Sequence, residues 1–240
     1  MQDFYKLKAG SVGVWTASLE LPTDALSDLR RLLSGDELER ADRFHFDRDR
    51  LRYIAARVLL RTLLGRYLDC GPTSIRFDYG RHGKPALVSP SAQIELFFNL
   101  SHTHDFAIYA VTALGPIGVD VERVRADFPI EEIIPQFCLP SEADALRRLP
   151  APLRNERALA LWTRKEAYCK AQGLGLSLDP RRIDALSGIE DGASVFHLSV
   201  DGVIDRTLSV QDLGVSPGYI ATLAVFGRPS EVTVRPLTLP

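Results

Sequence analysis

Two acidic side chains, Asp120 and Glu122, lie two residues apart at the end of an apolar segment, 117–121, that is typical of a short strand. Because successive side chains of a strand point to opposite faces, the two acids share one face, and Val119 and Val121 take the other. Two carboxylates on a buried strand repel each other and lose hydration, and a hard cation such as Mg²⁺ offsets both costs. Such a pair is more often a solvated edge or half of an ion pair, so a metal site requires a third acid.

A third acid is offered by a helix predicted over 154–171. Trp162, Glu166 and Lys170 are spaced by four residues and therefore stack on one face of this helix. The commoner meaning of the pattern is a core tryptophan beside a surface Glu–Lys pair worth about 0.3–0.5 kcal/mol. A helix that buries Trp162, however, tends to carry Glu166 and Lys170 toward the interior or a cleft. Three carboxylates, one metal and one lysine are typical of sites that handle phosphate.

Basic and hydroxyl groups that suit phosphate lie in the first half of the chain. Lys84 stands between Gly83 and Pro85 on a predicted turn, where the glycine lets a ligand approach the backbone closely; a surface lysine is the simpler alternative. His102 follows Ser101 at the end of a buried strand and is either a satisfied core or loop group or a phosphate donor near Lys84. Arginines suit phosphate through paired donors, although many of these must be solvated. They are Arg40, Arg43, Arg48, Arg50, Arg52 and Arg57.

Several other kinds of site are excluded by spacing. The five histidines have no metal-ligand spacing, and the three cysteines form no Cys-x-x-Cys, so neither a zinc site nor a disulfide scaffold is expected. Ser101 lacks the Gly-x-Ser-x-Gly motif of serine hydrolases. The Gly173-Leu-Gly175 segment follows no strand and precedes no Gly-Lys-Ser/Thr, so it is not a phosphate loop.

The composition is that of an ordinary globular protein. The chain has 240 residues, 45% of them hydrophobic and 25% charged, which is enough for one large or two small cores. The net charge of −2 gives no global attraction to nucleic acid or an anionic membrane. No uncharged run reaches about 18 residues, and the N-terminus lacks a signal h-region, so we expect a soluble cytoplasmic protein.

The predicted elements form two similar α/β (α+β) lobes, 1–116 and 117–240, in a pseudo-twofold arrangement with the active site in the cleft between them. In each half a long helix precedes an apolar strand, and the later strand echoes the earlier one, although any two buried strands look alike. Strands are predicted at 12–21, 75–79, 97–100, 106–111, 117–121, 194–200, 206–213, 219–226 and 232–236. Helices are predicted at 23–33, 34–44, 49–68, 129–137, 141–149 (with Ser141 as N-cap) and 154–171, the last after a linker at 150–152.

Four segments occur together in an order and spacing that resemble one family. They are Gly-Lys-Pro at 83–85, Phe-Asn-Leu-Ser-His at 98–102, Gly-Val-Asp-Val-Glu at 118–122, and Trp-Thr-Arg-Lys-Glu-Ala-Tyr-Cys-Lys at 162–170. From about residue 34 to 226 the chain resembles the 4′-phosphopantetheinyl transferases of the surfactin-synthetase-activating (Sfp) type. The resemblance implies a two-lobed monomer that moves the phosphopantetheine arm of coenzyme A onto a serine of an apo acyl- or peptidyl-carrier protein. Adenosine 3′,5′-bisphosphate would be released.

The resemblance also implies residue roles. Asp120, Glu122 and Glu166 match the family's ligands for Mg²⁺, with Mn²⁺ as an alternative, and Glu166 matches the group that deprotonates the serine. Lys170 would bind the diphosphate and stabilise the leaving phosphate. The remaining groups that would bind coenzyme A are Arg40, Arg52, Lys84, Pro85, Ser101 and His102. One departure is Glu37, where a second basic residue is often found; it puts one 3′-phosphate contact in doubt, and Arg43 is a candidate to replace it.

Two rival functions use the same residues. A metal-dependent hydrolase of diphosphates would activate water and need no protein acceptor, and a non-catalytic coenzyme A-binding or carrier-docking module would carry a vestigial metal site. The intact acids and Lys170 speak against the module. The loop after Gly173 lies where the family docks its carrier, and its leucines, at 174, 176 and 178, suit either a docked helix or the core.

Overall fold

The structure is a computed structural model, and it describes residues 5–20, 26–88, 95–125, 129–186 and 194–238. Within these ranges, no helix combines the length and the apolar character that crossing a bilayer requires. The helices are α1 (Leu26–Arg30), α2 (Gly35–Asp42), α3 (Asp47–Leu68), α4 (Ile130–Phe137), α5 (Pro140–Arg147) and α6 (Ala151–Gln172). The strands are β1 (Ser11–Ser18), β2 (Phe77–Tyr79), β3 (Pro85–Leu87), β4 (Phe97–Thr103), β5 (Phe106–Thr112), β6 (Ile117–Arg123), β7 (Ile183–Asp184), β8 (Ser199–Val200), β9 (Val203–Ile204), β10 (Leu208–Leu213), β11 (Tyr219–Phe226) and β12 (Glu231–Pro236).

Two sheets pack face to face between the two long helices. The first sheet has the order β12-β1-β5-β4 and the second the order β10-β11-β6. One face of β1 and β5, including Val14 and Ile108, packs on Val119 and Val121 of β6 in a shared apolar core. The opposite face of the first sheet packs on α3, and α6 covers the outer face of the second. The mixed α/β class, with helices packed on two sheets, is therefore confirmed.

Both long helices end as their sequences predict. The C-cap of α6 is Gly173, whose φ of 71° is in the left-handed region that glycine tolerates. Asp69 ends α3 in the same conformation, with φ 50°. In α3 the apolar residues form a buried face against the first sheet, and Leu59, Leu60 and Leu63 lie at its centre.

Some predicted boundaries are wrong, for local physical reasons. The segment 150–152 is not a linker, because Pro150 caps α6 and the first helical turn accepts residues such as proline that lack a backbone donor. Ser141 does not cap α5; Leu139 does, and its backbone N–H donates to the Glu142 carboxylate at 2.8 Å. The strand predicted at 194–200 shrinks to β8, preceded by a single bridge between Phe196 and Val210. The helix predicted from 23 is described only from Leu26, since 23–25 lie outside the described residues.

The last strand lies in the first sheet. β12 runs parallel to β1, with pairs from Ser11↔Glu231 to Thr16↔Pro236, whereas the expected second lobe was continuous from 117 to 240. This strand returns to the first lobe because β1 has an open edge that would otherwise leave its backbone groups unpaired. A division of the chain near 116 stays a prediction, and it does not apply to β12.

Candidate active site

Three side chains from three elements meet at the junction of the two sheets. The Ser101 hydroxyl of β4 donates to Asp120 Oδ1 of β6 at 2.8 Å. Lys170 Nζ of α6 donates to the same oxygen at 2.6 Å and to Ser101 Oγ at 3.0 Å. Asp120 is buried, so its charge is balanced by the ammonium and its first oxygen is fully engaged. The sequence prediction that Asp120 and Lys170 lie together is thus reproduced.

A glycine allows β6 to lie directly against α6. A Cβ atom at Gly118 would stand 2.0 Å from the Ala167 carbonyl oxygen and 2.5 Å from the Ala171 nitrogen, both of them helix backbone atoms. No larger residue fits at this distance. Because Asp120 and Glu122 point to the same face as Gly118, this close packing carries both acids toward the helix that holds Glu166 and Lys170.

A buried amide holds β4 beside β6. Asn99 Oδ1 accepts a hydrogen bond from the Val119 backbone N–H at 2.9 Å, which joins the edge strands of the two sheets. This bond sets the register that brings Ser101 opposite Asp120. Sequence reasoning did not assign a role to Asn99, and the available signal was a polar amide inside an otherwise apolar strand.

The other two predicted metal ligands are half-buried carboxyls with raised pKa values. Burial raises the pKa of Glu122, and the neighbouring Asp120 charge raises it further, while Thr103, which donates to Glu122 Oε2 at 3.3 Å, acts in the opposite direction. Burial also raises the pKa of Glu166. The charge of Lys170 lowers this pKa, and the charge of Asp120 raises it. Within the described part of the chain, Glu166 makes no hydrogen bond or ion pair.

One further observation supports the binding of a hard cation by the three predicted carboxylate ligands. Asp120 Oδ2 is buried and has no hydrogen-bond partner in the described structure, which is costly for a carboxylate oxygen. The described residues contain no ready-assembled group of three His, Cys, Asp or Glu side chains around a metal position. The set Asp120, Glu122 and Glu166 therefore stays a prediction, supported by the unpartnered oxygen of Asp120 and by the burial that raises the pKa values of the other two carboxyls.

A cleft of about 510 Å³ contains most of the predicted coenzyme A groups. Its lining combines side chains of α2, α3, the β2–β3 turn, β4 and α6. The predicted residues among them are Arg40, Lys84, Pro85, Ser101, His102, Glu166 and Lys170. Arg57, one of the arginines considered for phosphate, lines the same cleft, together with three aromatic residues that the sequence did not single out; they are Phe44, Tyr53 and Tyr79.

His102 lies in this cleft among positive charges. Partial burial lowers its pKa, and Lys170 and Arg52 lower it further. Arg52 is not among the side chains that line the cleft, although its charge acts on His102, so its place in the phosphate site stays a prediction. An anion bound there would reverse the effect, because opposite charge favours the protonated imidazole.

Lys84 is committed to backbone contacts. Its ammonium donates to the carbonyl oxygens of Ile117 at 2.8 Å and Lys170 at 2.6 Å. Burial lowers its pKa to about 8, and the charge of Lys170 contributes. The predicted lysine is in the cleft, yet two of its three donors point at the second lobe.

Glu37 is a buried structural acid. Its two carboxylate oxygens accept hydrogen bonds at 2.6 Å from the Nε atoms of Arg57 and Arg61 on α3. It also accepts from the N–H and hydroxyl of Ser34, each at 2.9 Å. Its negative charge is thus matched by two arginines. Arg43, considered as a replacement phosphate ligand, is exposed and lies 3.8 Å from Glu39.

The loop after α6 divides its leucines between solvent and core. Leu174 is exposed, and Leu178 packs against the core under α6. The Leu176 side chain lies outside the described part of the structure. Among the leucines whose side chains the structure describes in this loop, Leu174 is therefore the one open to a partner.

Comparisons with known proteins point to one family. The model of the 4′-phosphopantetheinyl transferase superfamily matches residues 116–224, and that of the 4′-phosphopantetheinyl transferase N-terminal domain matches residues 15–114. The 4′-phosphopantetheinyl transferase HetI of Nostoc sp. is 41% identical over 171 residues, which cover 71% of this chain and 72% of that protein. The 4′-phosphopantetheinyl transferase Sfp of Bacillus subtilis is 31% identical over 195 residues, covering 80% and 77%. The chain is therefore a member of the 4′-phosphopantetheinyl transferase superfamily, as its four motifs predict.

Proposed function

We propose that the cleft transfers the 4′-phosphopantetheine arm of coenzyme A to a serine hydroxyl of an apo acyl- or peptidyl-carrier protein. The observation that carries the proposal is the contact of Ser101 and Lys170, which line the cleft, with Asp120, whose second carboxylate oxygen has no partner in the described structure. Basic residues, including Arg40 and His102, line the same cleft. Family membership supports the reaction class, and the geometry supports these particular residues.

Asp120, Glu122 and Glu166 would hold Mg²⁺, or Mn²⁺ in its place, and the bound ion would supply neutralisation of charge on the diphosphate oxygens. The residues suit this task because the metal prefers oxygen ligands and Asp120 Oδ2 has no other partner in the described structure. Lys170 already contacts Asp120 at 2.6 Å, so an ion and an ammonium would share the charge of that carboxylate.

The transfer step needs a base and a donor for the leaving group. The serine oxygen of the carrier attacks the phosphorus that bears the pantetheine arm, and the bond from that phosphorus to the bridging oxygen breaks. Adenosine 3′,5′-bisphosphate leaves with the electron pair. Glu166, which lines the cleft beside Lys170, receives the serine proton as general base. Lys170 Nζ donates to the oxygens on which negative charge accumulates.

The basic residues of the cleft would bind the nucleotide. Arg40 and His102 line the cleft, and the charge of Arg52 lowers the pKa of His102. These groups would bind the 3′-phosphate, and Pro85 would shape the adenine pocket. Leu174, exposed beyond the end of α6, is a candidate contact for the carrier protein.

The direct test is intact-mass spectrometry of apo carrier proteins from fatty-acid, polyketide and peptide synthesis, incubated with this protein, coenzyme A and Mg²⁺. A gain of one phosphopantetheine that EDTA abolishes is the expected result. The variant Glu166→Ala should lose transfer, while Glu156→Ala, which removes an exposed acid from the same helix, should keep it. Cleavage of coenzyme A without a carrier would instead identify a hydrolase, and binding without any reaction would identify a docking module.

A further inference from the structure

The turn between β2 and β3 extends from the first lobe to the end of α6. It is closed by hydrogen bonds from the Gly80 N–H to the Lys84 carbonyl at 3.1 Å and from the Gly83 N–H to the Gly80 carbonyl at 2.8 Å. Gly83 has φ 75°, a left-handed conformation that glycine adopts without strain. The turn therefore presents Lys84 from a defined backbone rather than from a free loop.

The Lys84 ammonium joins two elements of the second lobe. Its contact at 2.8 Å is with the carbonyl of Ile117, the first residue of β6, and its contact at 2.6 Å is with the carbonyl of Lys170, in the last turn of α6. Carbonyls in the last turn of a helix lack full intrahelical pairing and carry partial negative charge, so a cation is favoured there. One side chain of the first lobe thus binds both the strand that carries Asp120 and the helix that carries Glu166.

A second contact lies beside the first. A Cβ atom built on Gly175 would stand 3.1 Å from the Cβ of His82 and 3.5 Å from its Nδ1, so the turn packs directly on the segment that follows α6. Gly175 has φ 55°. The close approach and the left-handed backbone both favour glycine at this position.

The contacts of Lys84 lead to the reacting groups through Lys170. The backbone of Lys170 is held by Lys84 at 2.6 Å, and the side chain of Lys170 reaches Asp120 Oδ1 at 2.6 Å and Ser101 Oγ at 3.0 Å. A lysine side chain starts from its own Cα, so a displacement of the backbone at residue 170 changes how far its ammonium must reach to contact Asp120 and Ser101. A shift of about 1 Å in such a group is enough to slow catalysis by up to about 100-fold.

We infer that Lys84 is a positioning residue, which clamps β6 to the end of α6 and thereby sets Lys170 against Asp120. The inference deepens the proposed function, on which it rests, and it gives Lys84 a role through the protein backbone rather than as a charge on the phosphates of coenzyme A. The β2–β3 turn, residues 80–85, is then an interlobe clamp.

The test compares Lys84→Met, which removes both hydrogen bonds, with Lys84→Arg, whose guanidinium can still donate to two carbonyls. Arg81→Met is the matched control, since it removes one exposed positive charge from the same turn. We expect Lys84→Met to lower kcat by about 10- to 100-fold. The ratio of KM for coenzyme A to KM for its 3′-dephospho form should stay within about twofold. Lys84→Arg should recover much of the lost kcat, and Arg81→Met should resemble the wild type.

Hydrogen exchange gives a readout that does not depend on activity. The Gly173 and Leu174 amides are bonded to the carbonyls of Lys170 and Cys169 at 3.2 and 3.3 Å, so loosening the end of α6 should speed exchange in the peptide 173–178. We expect faster exchange there in Lys84→Met and no change in Arg81→Met. Should Lys84→Met not fold, Lys84→Gln, whose shorter amide side chain lacks the ammonium, is measured instead.

Two outcomes would overturn the inference. One is unchanged exchange at 173–178 together with a selective rise in KM for coenzyme A, which would make Lys84 a direct ligand. The other is an equal effect of Arg81→Met, which would make the effect one of general charge. If the wild type transfers nothing to any carrier, the proposed function fails, and the exchange result still decides whether the clamp exists.

Discussion

The two carboxylate oxygens of Asp120 differ in their hydrogen-bond partners. Its Oδ1 accepts from Ser101 and Lys170, whereas its Oδ2 is buried with no partner in the described structure. Leaving such an oxygen unpaired costs about 1–3 kcal/mol or more. The proposed metal ligation would give this oxygen a partner in the bound state. Burial raises the pKa values of Glu122 and Glu166, so both carboxyls would also gain from a cation beside them.

His102 should bind the 3′-phosphate in a pH-dependent way. Partial burial, Lys170 and Arg52 hold its pKa below the ordinary value of 6.5, so it is largely neutral at pH 7 in the free protein. A bound phosphate favours the protonated form, so binding takes up a proton and weakens as the pH rises from 6 to 8. In His102→Ala we expect KM for coenzyme A to rise by about tenfold, the effect of one lost charge-assisted hydrogen bond.

The 3′-dephospho form of coenzyme A is the control for this prediction. Its KM should change little in His102→Ala, and the difference in pH dependence between the two substrates should be smaller in the variant than in the wild type. Steady-state kinetics at several pH values measures both effects. Equal changes for the two substrates would remove His102 from the 3′-phosphate.

Among the helices, α2 is held to α3 by a buried charge cluster. Glu37 is 1% exposed, Arg57 5% and Arg61 1%, so the acid and both arginines depend on one another for their charge balance. Arg57 also donates to the Tyr79 hydroxyl at 3.0 Å and lies with its guanidinium carbon 4.5 Å from the Phe77 ring centroid. The cluster therefore connects α2 and α3 with β2 and supports one wall of the cleft.

Glu37→Ala should strongly destabilise the protein, because it leaves two buried arginines without their carboxylate. Removing one partner of a buried ion pair costs about 3–5 kcal/mol, and urea unfolding followed by circular dichroism measures the loss. Glu39→Ala is the control, because Glu39 is exposed on the same helix and should change stability by less than about 0.5 kcal/mol. A Glu37→Ala protein as stable as the wild type would show that the arginines find other partners.

The contact between β6 and α6 depends on the absence of a side chain at Gly118. Gly118→Ala should push the strand away from the helix, because its methyl group would stand 2.0 Å from a backbone oxygen that cannot rotate aside. We expect a loss of about 3 kcal/mol or more in the free energy of unfolding, together with a loss of transfer as Asp120 moves from Lys170. Gly214→Ala, which meets nothing within 4 Å, should leave both unchanged. Thermal unfolding measures the stability of the two variants, and mass spectrometry of the carrier protein measures transfer. Near-normal transfer by Gly118→Ala would contradict the prediction.

Across the whole molecule, the two halves of the chain are not independent units. The two sheets share one apolar core, to which β1, β5, β6, β10 and β11 contribute. The chain then returns to the first sheet through β12, and Leu237, just beyond it, is buried in the core against α3. The cleft is built on this shared core, so the spacing of the two sheets also determines the spacing of Ser101 and Asp120.

Truncation after Arg228 should therefore damage the first lobe, although the removed segment follows the second. The truncated chain loses the parallel partner of β1 and the burial of Leu237, which alone is worth about 1.5–3 kcal/mol. We expect a clear fall in the melting temperature and faster hydrogen exchange in β1. Val234→Thr is the control, because Val234 is 38% exposed and a threonine keeps its strand geometry. Unchanged exchange in β1 would show that β12 is dispensable.

The sequence alone was sufficient to predict which side chains lie together when they belong to the same strand or helix. Period two placed Asp120 and Glu122 on one face of β6, and a spacing of four placed Trp162, Glu166 and Lys170 on one face of α6. The helix predicted over 154–171 ends at Gln172, one residue beyond its predicted end. The four motifs together identified the family, and with it the reaction class.

The tertiary structure decided which partner each charged group has. Nothing local indicated that Glu37 binds two arginines 20 and 24 residues away. Nor did anything local show that Lys84 holds a carbonyl 86 residues further on, or that β12 pairs with β1 at the opposite end of the chain. Periodicity reports only which way a side chain points within its own element. The partner of a buried charge depends on how elements far apart in the sequence pack, because only packing removes water and leaves a charge to be balanced.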